Sequence, residues 1–86
     1  MTEIIQGEHY WELQRFVDRI FQDLPEDDEL TRLDILSFGE VYDLPADLME
    51  VLSLLPSGSY HRTKLCTQLN SIVSSHSWSF VYGTVE

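Results

Sequence analysis

Between Asp43 and His76 the sequence leaves little choice of structure. Two apolar stripes of helical period are separated by Pro56-Ser57-Gly58-Ser59. In the first, Leu48, Val51, Leu52 and Leu55 fall at i, i+3, i+4 and i+7, one face of a 3.6-residue repeat. Pro45 suits the first turn of that helix, where a missing N–H loses nothing. Asp43 is placed to cap it, and Asp47 and Glu50 bring negative charge to its early turns, where the dipole favours anions. Met49 and Leu54 lie off the stripe, so this helix is apolar over more of its circumference than one core face requires. Pro56 cannot continue it, and Ser-Gly-Ser supplies turn chemistry. The second helix is expected from Ser59 or Tyr60, with Ser59 as N-cap and a stripe of Leu65, Leu69, Ile72, Val73 and His76 flanked by Cys66. Its opposite face (Arg62, Thr63, Thr67, Asn70, Ser71, Ser74) is polar yet almost uncharged, which is unusual for a solvated helix.

The rest of the chain is arranged around this pair. Residues 1–7 read as a loose arm and 8–86 as a single domain. Glu8 to Leu24 is amphipathic, with Leu13, Phe16, Val17, Ile20, Phe21 and Leu24 at helical spacing, and Pro25 ends it. Glu26-Asp27-Asp28-Glu29 is either a solvated loop or the negative first turn of a short helix through Leu30 and Leu33. Asp23-Leu24-Pro25-Glu26-Asp27 is echoed by Asp43-Leu44-Pro45-Ala46-Asp47, which suggests the same device for starting a helix at both places. In the segment 33–42, period two puts Leu36, Phe38 and Tyr42 on one face, and Gly39 argues against a helix interior, so a strand is expected. Trp78, Phe80 and Tyr82 alternate with Ser79, Val81 and Gly83, and the strand 78–85 is expected to pair with 35–42. The expected fold class is α+β: three to four helices with a two-stranded antiparallel sheet in the order α-β-α-α-β, that of a winged helix without its last strand.

With 86 residues there is room for one core. No apolar run approaches the ~20 residues of a membrane span. The first residues lack the basic flank and long apolar run of a secretory signal, so a cytoplasmic address is expected. The single Cys66 agrees with a reducing compartment. The formal net charge is −10 and is unevenly spread. Residues 1–50 hold 14 of the 15 acidic residues against Arg15, Arg19 and Arg32, whereas residues 51–86 hold Glu86 against Arg62 and Lys64. Halves so different suggest two surfaces with different tasks, although a small protein can also carry acidic residues simply for solubility.

Signatures of chemistry are few. His61, Cys66 and His76 are spaced by five and ten residues, and neither interval sets two ligands one turn apart on one face, as structural zinc pairs usually are. Cys66 flanks an apolar stripe, the place of a small buried hydrophobe rather than a nucleophile. The four glycines are isolated, so no phosphate-cradling loop occurs, and no Asp-x-Asp-x-Asp-Gly loop for Ca²⁺ exists. No metal, no cofactor and no enzymatic activity are expected.

Three classes of binding function remain. The leading one is a non-enzymatic acidic interaction module, a regulator or inhibitor of a partner whose basic surface normally binds nucleic acid; complementary charge would steer the encounter. Its contact candidates are Glu26, Asp27, Asp28 and Glu29, with Tyr10 and Trp11 as large amphipathic anchors. The alternative is a helix-turn-helix DNA reader using Arg62, Lys64, Thr67 and Asn70. A net charge of −10 counts against it, because affinity for a duplex rests largely on neutralising phosphates. A third reading is a homodimer formed through Met49 and Leu54.

Overall fold

A computed structural model of the chain describes residues 11–25, 28–76 and 83–86. Its elements run α1 (Glu12–Phe21), β1 (Leu30–Thr31), α2 (Arg32–Val41), α3 (Ala46–Ser53), β2 (Ser59–Tyr60) and α4 (Arg62–Ser75). The class is α+β: among the described residues there are four helices and one two-stranded antiparallel sheet, in the order α-β-α-α-β closed by α4. α1 buries Leu13, Phe16, Val17, Ile20 and Phe21, the face its periodicity marks out. It stops at Phe21, where the Leu24 N–H turns back to the Phe21 carbonyl at 3.2 Å ahead of Pro25. The expected N-terminal arm and the first residues of the expected helix lie outside the described residues.

The segment 33–42 is a helix, not a strand. Its start is written in a capping box. The Thr31 hydroxyl accepts the Asp34 N–H at 3.1 Å, and the Thr31 N–H donates to Asp34 Oδ2 at 3.1 Å. Two orphan donors of the first turn are thereby satisfied. No separate short helix precedes it among the described residues. Asp28 and Glu29 lead instead into β1 and then α2, so among the described residues no helix follows Pro25 as α3 follows Pro45. α2 closes in a Schellman motif: Leu44 N–H donates to the Gly39 carbonyl at 3.0 Å and Asp43 N–H to the Glu40 carbonyl at 3.1 Å. Asp43 therefore belongs to the end of α2, and Pro45 precedes α3 without a side-chain cap.

The two strands are also not where alternation put them. Leu30 pairs with Tyr60 and Thr31 with Ser59. Because Ser59 and Tyr60 are extended, α4 starts at Arg62, and its cap is His61, whose Nδ1 accepts the Lys64 N–H at 3.2 Å. The expected strand 78–85 lies mostly outside the described residues, and 35–42, being helical, cannot pair with it. The described end, residues 83–86, is irregular.

Arg32 ties the sheet end to α3. Its Nε donates to the Leu55 carbonyl at 2.8 Å, its Nη2 to the Ser53 carbonyl at 2.7 Å, and its N–H to the Gly58 carbonyl at 3.1 Å. A cation on the last carbonyls of α3 offsets the negative end of the helix dipole. The Tyr60 hydroxyl, on a buried ring, donates to the Pro56 carbonyl. α2 packs on α1 and α3, and α4 on α1 and α3. Between them lies one core that includes Leu13, Val17, Ile35, Leu48, Leu52, Leu65, Leu69 and Val73, all at 0% exposure. Each such leucine contributes about 2 kcal/mol by leaving water. Among the described residues no helix is long and apolar enough to cross a membrane.

Candidate functional site

The uncharged polar face of α4 is occupied from within the chain. Asn70 holds the backbone of Val85 on both sides: its Oδ1 accepts the Val85 N–H at 2.7 Å and its Nδ2 donates to the Val85 carbonyl at 2.9 Å. Gln14 of α1 does the same for Glu86, at 2.9 Å and 3.0 Å. Two side-chain amides thus take the part of a neighbouring strand, and the Val85 side chain is buried between the helices. Arg62 pairs with Asp18 and donates to the Glu86 carbonyl at 2.7 Å. Thr67 Oγ1 donates back to the Thr63 carbonyl at 3.0 Å. Lys64 Nζ donates to the Ser59 carbonyl at 3.0 Å and stands 5.0 Å from the centre of the Tyr60 ring. All four residues assigned to DNA contact are therefore committed to internal partners. Of this face, Arg62 and Asn70 hold the returning segment of main chain, while Thr63, Thr67, Ser71 and Ser74 remain exposed.

Cys66 lies under that segment, with Arg62, Thr63, Asn70 and Val85 around it. Burial pushes its thiol above the ordinary range; the Arg62 guanidinium pulls it down, and Asp18 and Glu86 push it up again. A buried thiol of raised pKa is a poor nucleophile. His61 and His76 serve at the two ends of α4. Among the described residues no three His, Cys, Asp or Glu side chains converge to hold a metal ion.

The acidic candidates fall differently. Glu26, Asp27 and Tyr10 lie outside the described residues. Asp28 and Glu29 are exposed. Trp11, at the start of α1, is 57% exposed. Among the described residues the ion pairs are Arg15 with Glu12 and Arg62 with Asp18. Asp23, Asp28, Glu29, Glu40, Asp43 and Glu50 are exposed and enter neither. The cations are all engaged: beyond Arg15, Arg32, Arg62 and Lys64, Arg19 lies over the Tyr42 ring at 4.8 Å from its centre. Tyr42 in turn meets the edge of Phe16 and stacks on Phe38. A shallow groove of about 370 Å³ opens there between α1 and the α2–α3 connection; Glu12, Arg15, Gln22 and Leu44 help to line it, and no Ser, Cys or His is among its described lining residues.

The two apolar candidates separate. Met49 turns inward and packs over Gly39, so close that a Cβ at that glycine would lie 2.6 Å from its Sδ. Leu54 remains 41% exposed. Two more exposed apolar residues, Leu33 at 72% and Val41 at 74%, lie on α2. They escape notice in the sequence because alternation hides a stripe at i and i+8.

No protein-family model, curated protein or solved structure matches this chain.

Proposed function

We propose that this chain is a non-enzymatic acidic interaction module that docks on a protein with a basic surface, acting as a regulator or inhibitor of that partner in the cytoplasm. One observation carries the reading. Each Lys and Arg side chain has a partner within the chain, while among the described residues at least six exposed carboxylates enter no ion pair. The outward field is thus negative and largely uncompensated, which attracts basic surfaces and repels nucleic acid and anionic membranes. The DNA alternative would need Arg62, Lys64, Thr67 and Asn70 to abandon the contacts they already make, and no observation favours it. Dimerisation through Met49 and Leu54 loses Met49 to the core.

The test uses the exposed pair Asp28 and Glu29. Affinity capture from the native cell at low and high salt, with wild type and with Asp28→Lys plus Glu29→Lys, should single out a basic protein that both salt and the reversal release. Stopped-flow association with it should then slow by about tenfold in the reversed variant and lose part of its salt dependence. Association indifferent to both changes would refute the reading.

A further inference from the structure

The outer face of α2 combines features that no other described surface shares. Leu33, Ser37 and Val41 follow one another at i, i+4 and i+8, so they line one face of the helix over about 12 Å. Leu33 and Val41 are the most exposed large apolar residues described. At 100° per residue, Glu40 falls on one side of this stripe and Asp34 on the other. Both carboxylates are exposed, and Asp43 follows at the C-terminal end. The only cation of α2, Arg32, is turned away onto the Ser53 and Leu55 carbonyls. That clamp holds Ser53 and Leu55, the neighbours of the half-exposed Leu54, to Arg32 at the start of α2. Beside the stripe, Asp34, Ser37, Phe38 and Val41 form a shallow hollow of about 140 Å³, wide enough to seat a side chain.

We infer that this face of α2 docks a basic amphipathic segment of a partner protein, one that presents aliphatic or aromatic side chains at helical spacing with Lys or Arg on both flanks. The inference rests on the acidic-module reading and gives that module its contact surface. An apolar stripe edged by carboxylates is complementary to an apolar stripe edged by ammonium or guanidinium groups; burying the first desolvates Leu33 and Val41 while the second neutralises Asp34 and Glu40. A second copy of this chain fits poorly. It would press two such carboxylate sets together and add a body of charge −10 to another of the same sign.

The probe is a fluorescein-labelled helical peptide of Leu and Lys in amphipathic register, about 18 residues long. A peptide of the same composition in scrambled order controls for charge alone. Anisotropy at low salt should show the patterned peptide binding about tenfold tighter than the scrambled one. Amide shift changes in the full chain should centre on 33–41. Leu33→Ser with Val41→Ser should lower the affinity about tenfold, and Glu40→Gln should reduce its salt dependence. Leu33→Ala, a helix-favouring change at an exposed site, serves beside the double variant, with thermal melting of each as the check on folding. Equal binding of both peptides, with shifts centred on Asp28 and Glu29, would overturn the inference and leave the acidic-module reading standing. Failure of both peptides to bind at low salt would overturn both. The inference also falls if the Leu33 and Val41 methyls show contacts to residues 1–10 or 77–82 of their own chain. It falls equally if α2 amides shift with protein concentration when no peptide is present.

Discussion

Asp43 has φ of 55°, the one left-handed residue other than glycine among those described. A side chain in that conformation costs about 1 kcal/mol, and glycine removes the cost. Asp43 also places a carboxylate at the negative end of α2, whose last turn carries no basic residue. Both effects have one sign. Asp43→Gly should raise the unfolding free energy by about 1 kcal/mol, read from the urea midpoint, and Asp43→Asn by a few tenths. A lowered midpoint for the glycine variant would show that the aspartate stabilises the turn. Cys66 makes a prediction of the opposite kind. Its folded-state pKa is raised, chiefly by burial. Above the ordinary thiol range the unfolded chain therefore releases a proton that the folded chain keeps, and stability falls as pH rises through that range; below it the thiol contributes no pH dependence. Cys66→Val should flatten the loss between neutral pH and pH about 10, measured by urea titration at each pH. An identical slope in both proteins would place the loss elsewhere.

Gly39 is the residue on which the sequence misleads. It argues against a helix because glycine is a poor helix former, yet it is what lets α3 approach α2, since any Cβ would meet Met49 Sδ at 2.6 Å and Leu52 Cδ1 at 3.1 Å. Packing between elements overrides local propensity here, and a single sequence does not display packing. In the Met49→Ala background Gly39→Ala should stabilise the helix by up to about 1 kcal/mol, whereas in the wild type the clash should cancel that gain or reverse it. A double-mutant cycle of denaturation midpoints gives the coupling, expected at about 1 kcal/mol or more, and additive effects would mean that Met49 moves aside freely. Other elements were legible for plain reasons. The buried faces of α1, α3 and α4 have the helical period in their leucines and valines. β1 and β2 have two residues each, too short for alternation to register. Even the α4 boundary moved because Ser59 and Tyr60 were drawn into that ladder, leaving His61 to cap.

At the scale of the whole molecule, the asymmetry of charge could be counted from the sequence, but not the fate of the cations. Nothing in the spelling of Arg32, Arg62 or Lys64 reveals that each would be bound to carbonyls distant in sequence or beyond its own turn. Gln14 and Asn70, the pair that grips residues 85 and 86, likewise look like ordinary polar positions until the chain returns between α1 and α4. The sheet joins Leu30 to Tyr60, so everything between them, α2 and α3 included, forms a closed ring fastened by two rungs and the Arg32 clamp. Under tension applied to the two chain ends, that ring is hidden length. Pulling on either side of the junction bears on the Leu30–Tyr60 rung first, in an unzipping geometry, and the enclosed residues stay slack until it parts. Single-molecule stretching should record α1 and α4 yielding separately from one abrupt step of about 100 Å as the ring opens. Replacing Arg32 with Ala should lower the force of that step and leave its length unchanged.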